Sequence, residues 1–383
     1  MKIRKLKARV IPNTSGTETI EVVINNKYVG SAPVGISVGS KEVMPFPQQG
    51  IPINLVNRTL HRALKGFRFN DFNDLKLIEQ VLFDFDNSSK LEKLGGNAVI
   101  ALENALLRGG AGSQSVWQFL NPYANEMPIL IGECIGGGKH YKGESTDIQE
   151  FLVMPHSEKI YENIYLTNYI YKQIGYHLGA NGKTCNGSWI TDLDTISILD
   201  LLKKITNEVF DKFDTQVGLG IDVAGGHLYS GGYYFYKKGK LDRQSQIKYI
   251  NILISKYGLE YVEDPLEEND ISGYTKIKGG DIICGDDLVC TQLERLKEVA
   301  GKINAVIVIP TQVGSLLKTK EIIDYAKQNA ITPIISHRGG ETMDTMISEL
   351  SVAWNVPFIK CGISGKERLR KINRLKEIER EIK

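Results

Sequence analysis

Apolar and polar side chains alternate through Thr19-Ile20-Glu21-Val22-Val23-Ile24, within a stretch from residue 8 to 24 that reads as half-buried strand. Asn25-Asn26 supplies a turn before Lys27-Tyr28-Val29, so the chain opens on a β-hairpin. The run Ala32 to Ser40, with its spaced glycines, reads as a loop or surface linker. The period then changes to a helical one. Apolar residues recur at helical spacing from Ile53 to Leu64, from Leu75 to Phe83 and from about Asn97 to Leu107. Gln114 to Leu120 resumes the pattern after a glycine-rich break. A sheet followed by helices gives a small α+β domain over residues 1–121.

From residue 122 to 383 the pattern is strand then helix, repeated. Strands are expected at Met127 to Ile131, Glu150 to Met154, 217–222, 259–263, 281–284, 305–309, 331–335 and 357–360. Helical segments lie between them from residue 157 onward. This spacing favours a parallel α/β barrel over a doubly wound sheet. Tyr229, Tyr233, Tyr234 and Tyr236 read as a hairpin or surface strand, because no basic residue interleaves with them as a base-stacking platform requires.

Three expected strands run into acids: Val217 to Ile221 into Asp222, Leu259 to Val262 into Glu263, and Asp281 to Cys284 towards Asp286. In a parallel barrel such strand ends share one rim, so the three carboxylates converge. Without a cation they would repel one another, and hard oxygen donors suit Mg²⁺. Composition adds exclusions. The net charge of +2 offers no broad attraction to nucleic acid or to a membrane surface. Five scattered cysteines without a CxxC pair suggest neither a disulfide framework nor a zinc site, and fit a reducing cytoplasm. No apolar run approaches the length of a membrane span, and the charged residues after Met1 do not read as a secretion signal.

The ordered motifs resemble those of the enolase (phosphopyruvate hydratase) family over nearly the whole chain. Pro33-Val34-Gly35-Ile36-Ser37 is similar to the family's active-site loop, and Gly136-Gly137-Gly138-Lys139-His140 to its histidine loop. Gln149-Glu150-Phe151 resembles its Gln-Glu-Phe strand. Ser336-His337-Arg338-Gly339-Gly340-Glu341-Thr342 and Ile359-Lys360-Cys361-Gly362 resemble its late-barrel substrate motifs. The resemblance implies a capping α+β domain on an eight-stranded, enolase-type modified TIM barrel. It also implies Mg²⁺-dependent exchange of water at a phosphorylated three-carbon acid such as 2-phosphoglycerate, and a homo-oligomer. By this likeness Asp222, Glu263 and Asp286 match the metal ligands, and Ser37 the loop residue that closes on a second metal ion. His140, Glu150 and His337 match polar groups of the active site, Arg338 a phosphate contact, and Lys360 a lysine beside the substrate carboxylate.

The chain also departs from the family pattern. Where the family has its proton-abstracting lysine, the run Val306-Ile307-Val308-Ile309-Pro310 places Ile309; where it has a general-acid glutamate, Cys185-Asn186-Gly187 places Asn186. Isoleucine takes no proton, and an amide delivers none. Gly339 stands where the family has a phosphate-contacting serine, and Ser15 replaces an arginine near the usual subunit contact. Each lost acid or base is worth about two to four powers of ten in rate. Three readings follow: an enzyme of changed chemistry using Lys360, Lys183 or His337 as base, a pseudoenzyme that keeps its pocket for binding or assembly, or a working enolase with substitute groups. His140 and His337 also read as core histidines, and Arg338 as a structural ion pair.

Overall fold

The computed structural model describes residues 1–382 except 37, 38, 40, 142, 180 and 181; the side chain of His140 is likewise outside the description. The N-terminal sheet is a meander of β1 (Leu6–Pro12), β2 (Glu18–Ile24) and β3 (Tyr28–Ser31), one strand more than the expected hairpin. Asn25 and Asn26 both take positive φ at the tight β2–β3 turn, which asparagine tolerates better than most residues. The inward residues Ile20, Val22 and Ile24 are fully buried, as the alternation requires. Helix Gly96–Ala111 packs on this sheet. A Cβ on Gly30 would lie 2.3 Å from the carbonyl oxygen of Ala101, so a glycine permits the close approach. The segment expected as one helix from Ile53 to Leu64 is a π turn, Leu55–Leu60, followed by one α turn.

Eight strands then close a barrel: β4 (Ile129–Gly136), β5 (Glu150–Pro155), β6 (Val217–Asp222), β10 (Leu259–Glu263), β11 (Ile282–Gly285), β12 (Ala305–Val308), β13 (Thr332–Ser336) and β14 (Phe358–Lys360). Between β6 and β10 lies an antiparallel meander, β7 (Tyr229–Ser230), β8 (Tyr233–Tyr236) and β9 (Gly239–Asp242), which holds the tyrosine-rich run. Ile131, Leu152, Met154, Tyr261, Ile307 and Ile334 are among the residues filling the barrel interior.

The barrel is not all parallel, which corrects the sequence expectation. β5 runs antiparallel to both β4 and β6. The connections explain this. Among the described residues only a loop and a short 3₁₀ turn join β4 to β5, so the chain reverses, since a parallel return needs a longer crossover. Two helices, Ile160–Leu178 and Thr195–Phe213, then join β5 to β6 and reverse it again. The consequence is local and chemical. Glu150 begins β5, yet it pairs with Asp222 at the end of β6 and so reaches the same rim as the other strand ends.

The capping domain meets that rim directly. Val34 and Gly340 exchange backbone hydrogen bonds of 2.9 and 2.8 Å, and Thr14 Oγ1 donates to the Gly339 carbonyl at 2.8 Å. Arg108 of the long cap helix grips Asp344 with two hydrogen bonds, 2.8 and 2.7 Å.

Candidate active site

Asp222, Glu263 and Lys360 each close a strand, and Asp286, Ile309 and His337 each follow one by a single residue. With Glu150 they line one small cavity of about 80 Å³, closed over by Gly35, Ile36 and Glu42 of the cap. Arg338, Gly339 and Asn186 line it as well. The structure thus brings Asp222, Glu263, Asp286, Glu150, His337, Arg338 and Lys360 to one cavity, together with Asn186 and Ile309. Ser37 and the side chain of His140 lie outside the described residues. Lys183 is elsewhere: it is exposed, with its ammonium over the rings of Trp189 and Tyr171, and is not a base for this cavity.

Charge dominates the cavity. Lys360 Nζ donates to Glu263 Oε2 at 2.6 Å and Asp222 Oδ2 at 3.2 Å, and makes a charge contact with Glu150 at 2.9 Å. Burial alone would strip its proton, but Glu150, Glu263 and Asp222 outweigh that and raise its pKa well above the ordinary lysine value. With these three acids around it, the ammonium form of Lys360 is favoured in the cavity. Glu263 is pushed well up, first by burial and then by the charge of Asp222. Burial also raises Asp286, with its Oδ1 held by Gln312 Nε2 at 3.0 Å, and pushes Asp287 up to about 7.

His337 has a defined role as well. Arg368 Nε donates to His337 Nδ1 at 3.2 Å, so that nitrogen is the acceptor and the ring proton belongs on Nε2. The imidazole's lone pair is already taken, which argues against His337 as a base. Arg338 donates to Glu42 at 2.7 and 3.3 Å, so the candidate phosphate contact also makes a buried ion pair. Ile309 is only 4% exposed; it packs with the barrel-interior residues and gives the cavity an apolar side chain.

Sequence reading missed Glu42, Glu133, Arg368 and the glutamines Gln149 and Gln312. Glu133 did leave a signal: it is the one charge inside the apolar run Ile129 to Ile135, and a charge in a buried strand needs a partner. Arg368 sits in a helix rich in charge, where nothing in the sequence sets it apart from its exposed neighbours.

A metal would find suitable chemistry here, since Asp222, Glu263 and Asp286 are hard oxygen donors, and burial first, with the charge of Asp222 after it, raises the pKa of Glu263 and Asp286. Among the described residues, however, no group of three His, Cys, Asp or Glu side chains stands in a ready coordinating arrangement. Lys360 instead bridges Asp222 and Glu263, and would have to yield to an ion.

These features define a capped α/β barrel whose acid-lined cavity lies at the rim of the strands. The enolase C-terminal TIM barrel domain model matches residues 124–383, and the enolase N-terminal domain model matches residues 3–120. The chain is 34% identical over 400 residues to an enolase of Picrophilus torridus, covering 100% of this chain and 99% of the relative. It is also 34% identical over 405 residues to an enolase of Methanothermobacter thermautotrophicus, covering 99% and 97%. An enolase of Pyrobaculum aerophilum is 32% identical over 386 residues, covering 94% and 91%. The chain belongs to the enolase family. Among the described residues no helix is long and apolar enough to cross a membrane.

Proposed function

We propose that this protein binds a phosphorylated three-carbon acid of the 2-phosphoglycerate or phosphoenolpyruvate type together with Mg²⁺, and that its ordinary dehydration is impaired. In this reading residues 1–121 cap a barrel of residues 122–383, and the protein works in the cytoplasm as a homo-oligomer. Asp222, Glu263 and Asp286 would hold Mg²⁺, which when bound supplies positive charge against the dianion that forms on loss of a proton beside a carboxylate. Lys360, as an ammonium, pairs with the acid's carboxylate. Arg338 shares its guanidinium between Glu42 and the phosphate, and Ser37, by its likeness to the family's loop residue, would serve a second metal ion. His140, Glu150 and His337 orient the ligand by hydrogen bonds.

The observation that carries the second half of the proposal is Ile309. It follows β12, where the family places its base, and it lines the cavity with a side chain that takes no proton. Asn186 lines the same cavity where the family has an acid. Calorimetric titration of 2-phosphoglycerate with and without Mg²⁺ tests the binding half. Binding that requires Mg²⁺ and is lost in Asp286→Asn is expected; equal binding without the metal, or none with it, contradicts the reading.

A further inference from the structure

One buried carboxylate lies behind the cavity wall and plays no part in the account above. Glu133 is 1% exposed, on β4, where the pairing with β5 shifts register between Glu133 and Ile135. A bulge re-aims side chains locally, and here the carboxylate meets the 184–188 loop. Glu133 Oε2 accepts from Asn186 Nδ2 at 2.9 Å, and Oε1 accepts a hydrogen bond from Ser188 Oγ. Ser188 Oγ is in turn 2.8 Å from Thr184 Oγ1. On the other side of the same amide, Arg368 Nη2 donates to Asn186 Oδ1 at 2.9 Å. Arg368 is also 1% exposed, and Gly339 O and His337 Nδ1 hold it at 3.1 and 3.2 Å.

An asparagine amide between two charged groups of opposite sign has one orientation. A guanidinium only donates, so it must face the oxygen; an ionised carboxylate only accepts, so it must face the nitrogen. A flipped amide would point N–H at N–H and oxygen at oxygen inside a dry site, where each mismatch is costly.

We infer that Glu133 is a positioning residue: with Arg368 it locks the Asn186 amide, nitrogen towards Glu133 and oxygen towards Arg368, so that residue 186 presents one fixed amide orientation to the cavity it lines. This inference rests on the ligand class proposed above only for its binding readout; the locked amide itself is tested without ligand.

The test is an exchange. Asn186→Asp places a carboxylate oxygen against Glu133, and its melting temperature should fall. Adding Glu133→Gln restores a donor opposite the introduced carboxylate and keeps Arg368 on its far oxygen, so the E133Q/N186D protein should regain the wild-type melting temperature. Its Mg²⁺-dependent affinity for 2-phosphoglycerate should stay roughly tenfold or more below wild type, because a carboxylate then replaces the neutral amide in the wall of an anion-binding cavity. Glu133→Gln alone keeps the volume but allows either amide orientation; it should melt near wild type yet bind 2-phosphoglycerate several-fold more weakly. A merely structural Glu133 would move stability and affinity together, and that result overturns the inference. So does an exchange that melts no higher than Asn186→Asp alone. Failure of the wild type to bind 2-phosphoglycerate contradicts the proposed function instead, and the melting cycle then decides this inference by itself.

Discussion

Lys360 Nζ lies 2.6 Å from Glu263 Oε2, which makes the lysine that closes β14 the counter-ion of the carboxylate that closes β10. Asp222 and Glu150 complete the cage at 3.2 and 2.9 Å. In the proposed metal site, lysine and ion would therefore draw on the same acids. Lys360→Met should leave three buried carboxylates with no ammonium among them, at a cost of about 3–5 kcal/mol in metal-free buffer. Millimolar Mg²⁺ should raise the melting temperature of this variant more than that of the wild type, because ligand binding to the native state adds stability. Equal Mg²⁺ shifts in the two proteins would show that Lys360 and the ion do not compete.

The cap is tied to the barrel by Arg108 and Asp344. Burial works against ionisation of Asp344, but the charge of Arg108 and its hydrogen bonds prevail, together with those from the Ser31 and Met346 amides, and its pKa is lowered. A depressed carboxylate pKa contributes stability that is present above the unfolded value, about 3.9, and lost as pH falls through the folded value. Asp344→Asn should therefore lower stability at pH 7 by about 1.5–3 kcal/mol, the worth of hydrogen bonds to a charged group. Its deficit relative to wild type should shrink below about pH 4. Urea titrations at pH 7 and pH 3 measure both; a deficit independent of pH would remove the ion pair as its cause.

Gly339 is hemmed in by Ile36. A Cβ at residue 339 would lie 2.3 and 2.4 Å from the Ile36 Cδ1 and Cγ1 atoms. Restoring the family's serine by Gly339→Ser alone should cost about 1–3 kcal/mol through overpacking. Ile36→Ala in the same chain should recover most of that loss. Thermal melts of the two single variants and the double variant check the coupling; additive effects would mean that the loop residue does not define the space over Gly339.

Much of the site was legible because acids at strand ends carry their own geometry. Once Val217 to Ile221 and Leu259 to Val262 read as strands, Asp222 and Glu263 had to share a rim. The direction of β5 was not legible, since an apolar run has the same pattern in either sense; only the short link from Gly136 to Glu150 hinted at a reversal. The partners of charges were hidden for a different reason. Glu42 and Arg338 are 296 residues apart in sequence, and Glu133 and Asn186 are 53 apart, so no local period relates them. The motif likeness pointed to Lys360, which lines the cavity. It could not reveal that three acids surround that lysine and raise its pKa.

The central claim is that the cavity retains its charged groups while Asn186 and Ile309 deprive it of an acid and a base. The most direct measurement is conversion of 2-phosphoglycerate with saturating Mg²⁺, followed by enol absorbance beside the Picrophilus torridus enolase. With one acid or base worth about 10²–10⁴ in rate, turnover at least roughly a hundredfold below that relative is expected, with a gain in the Ile309→Lys, Asn186→Glu double variant. Wild-type turnover equal to that of the relative would contradict the claim, and would mean that other groups in this cavity move the protons.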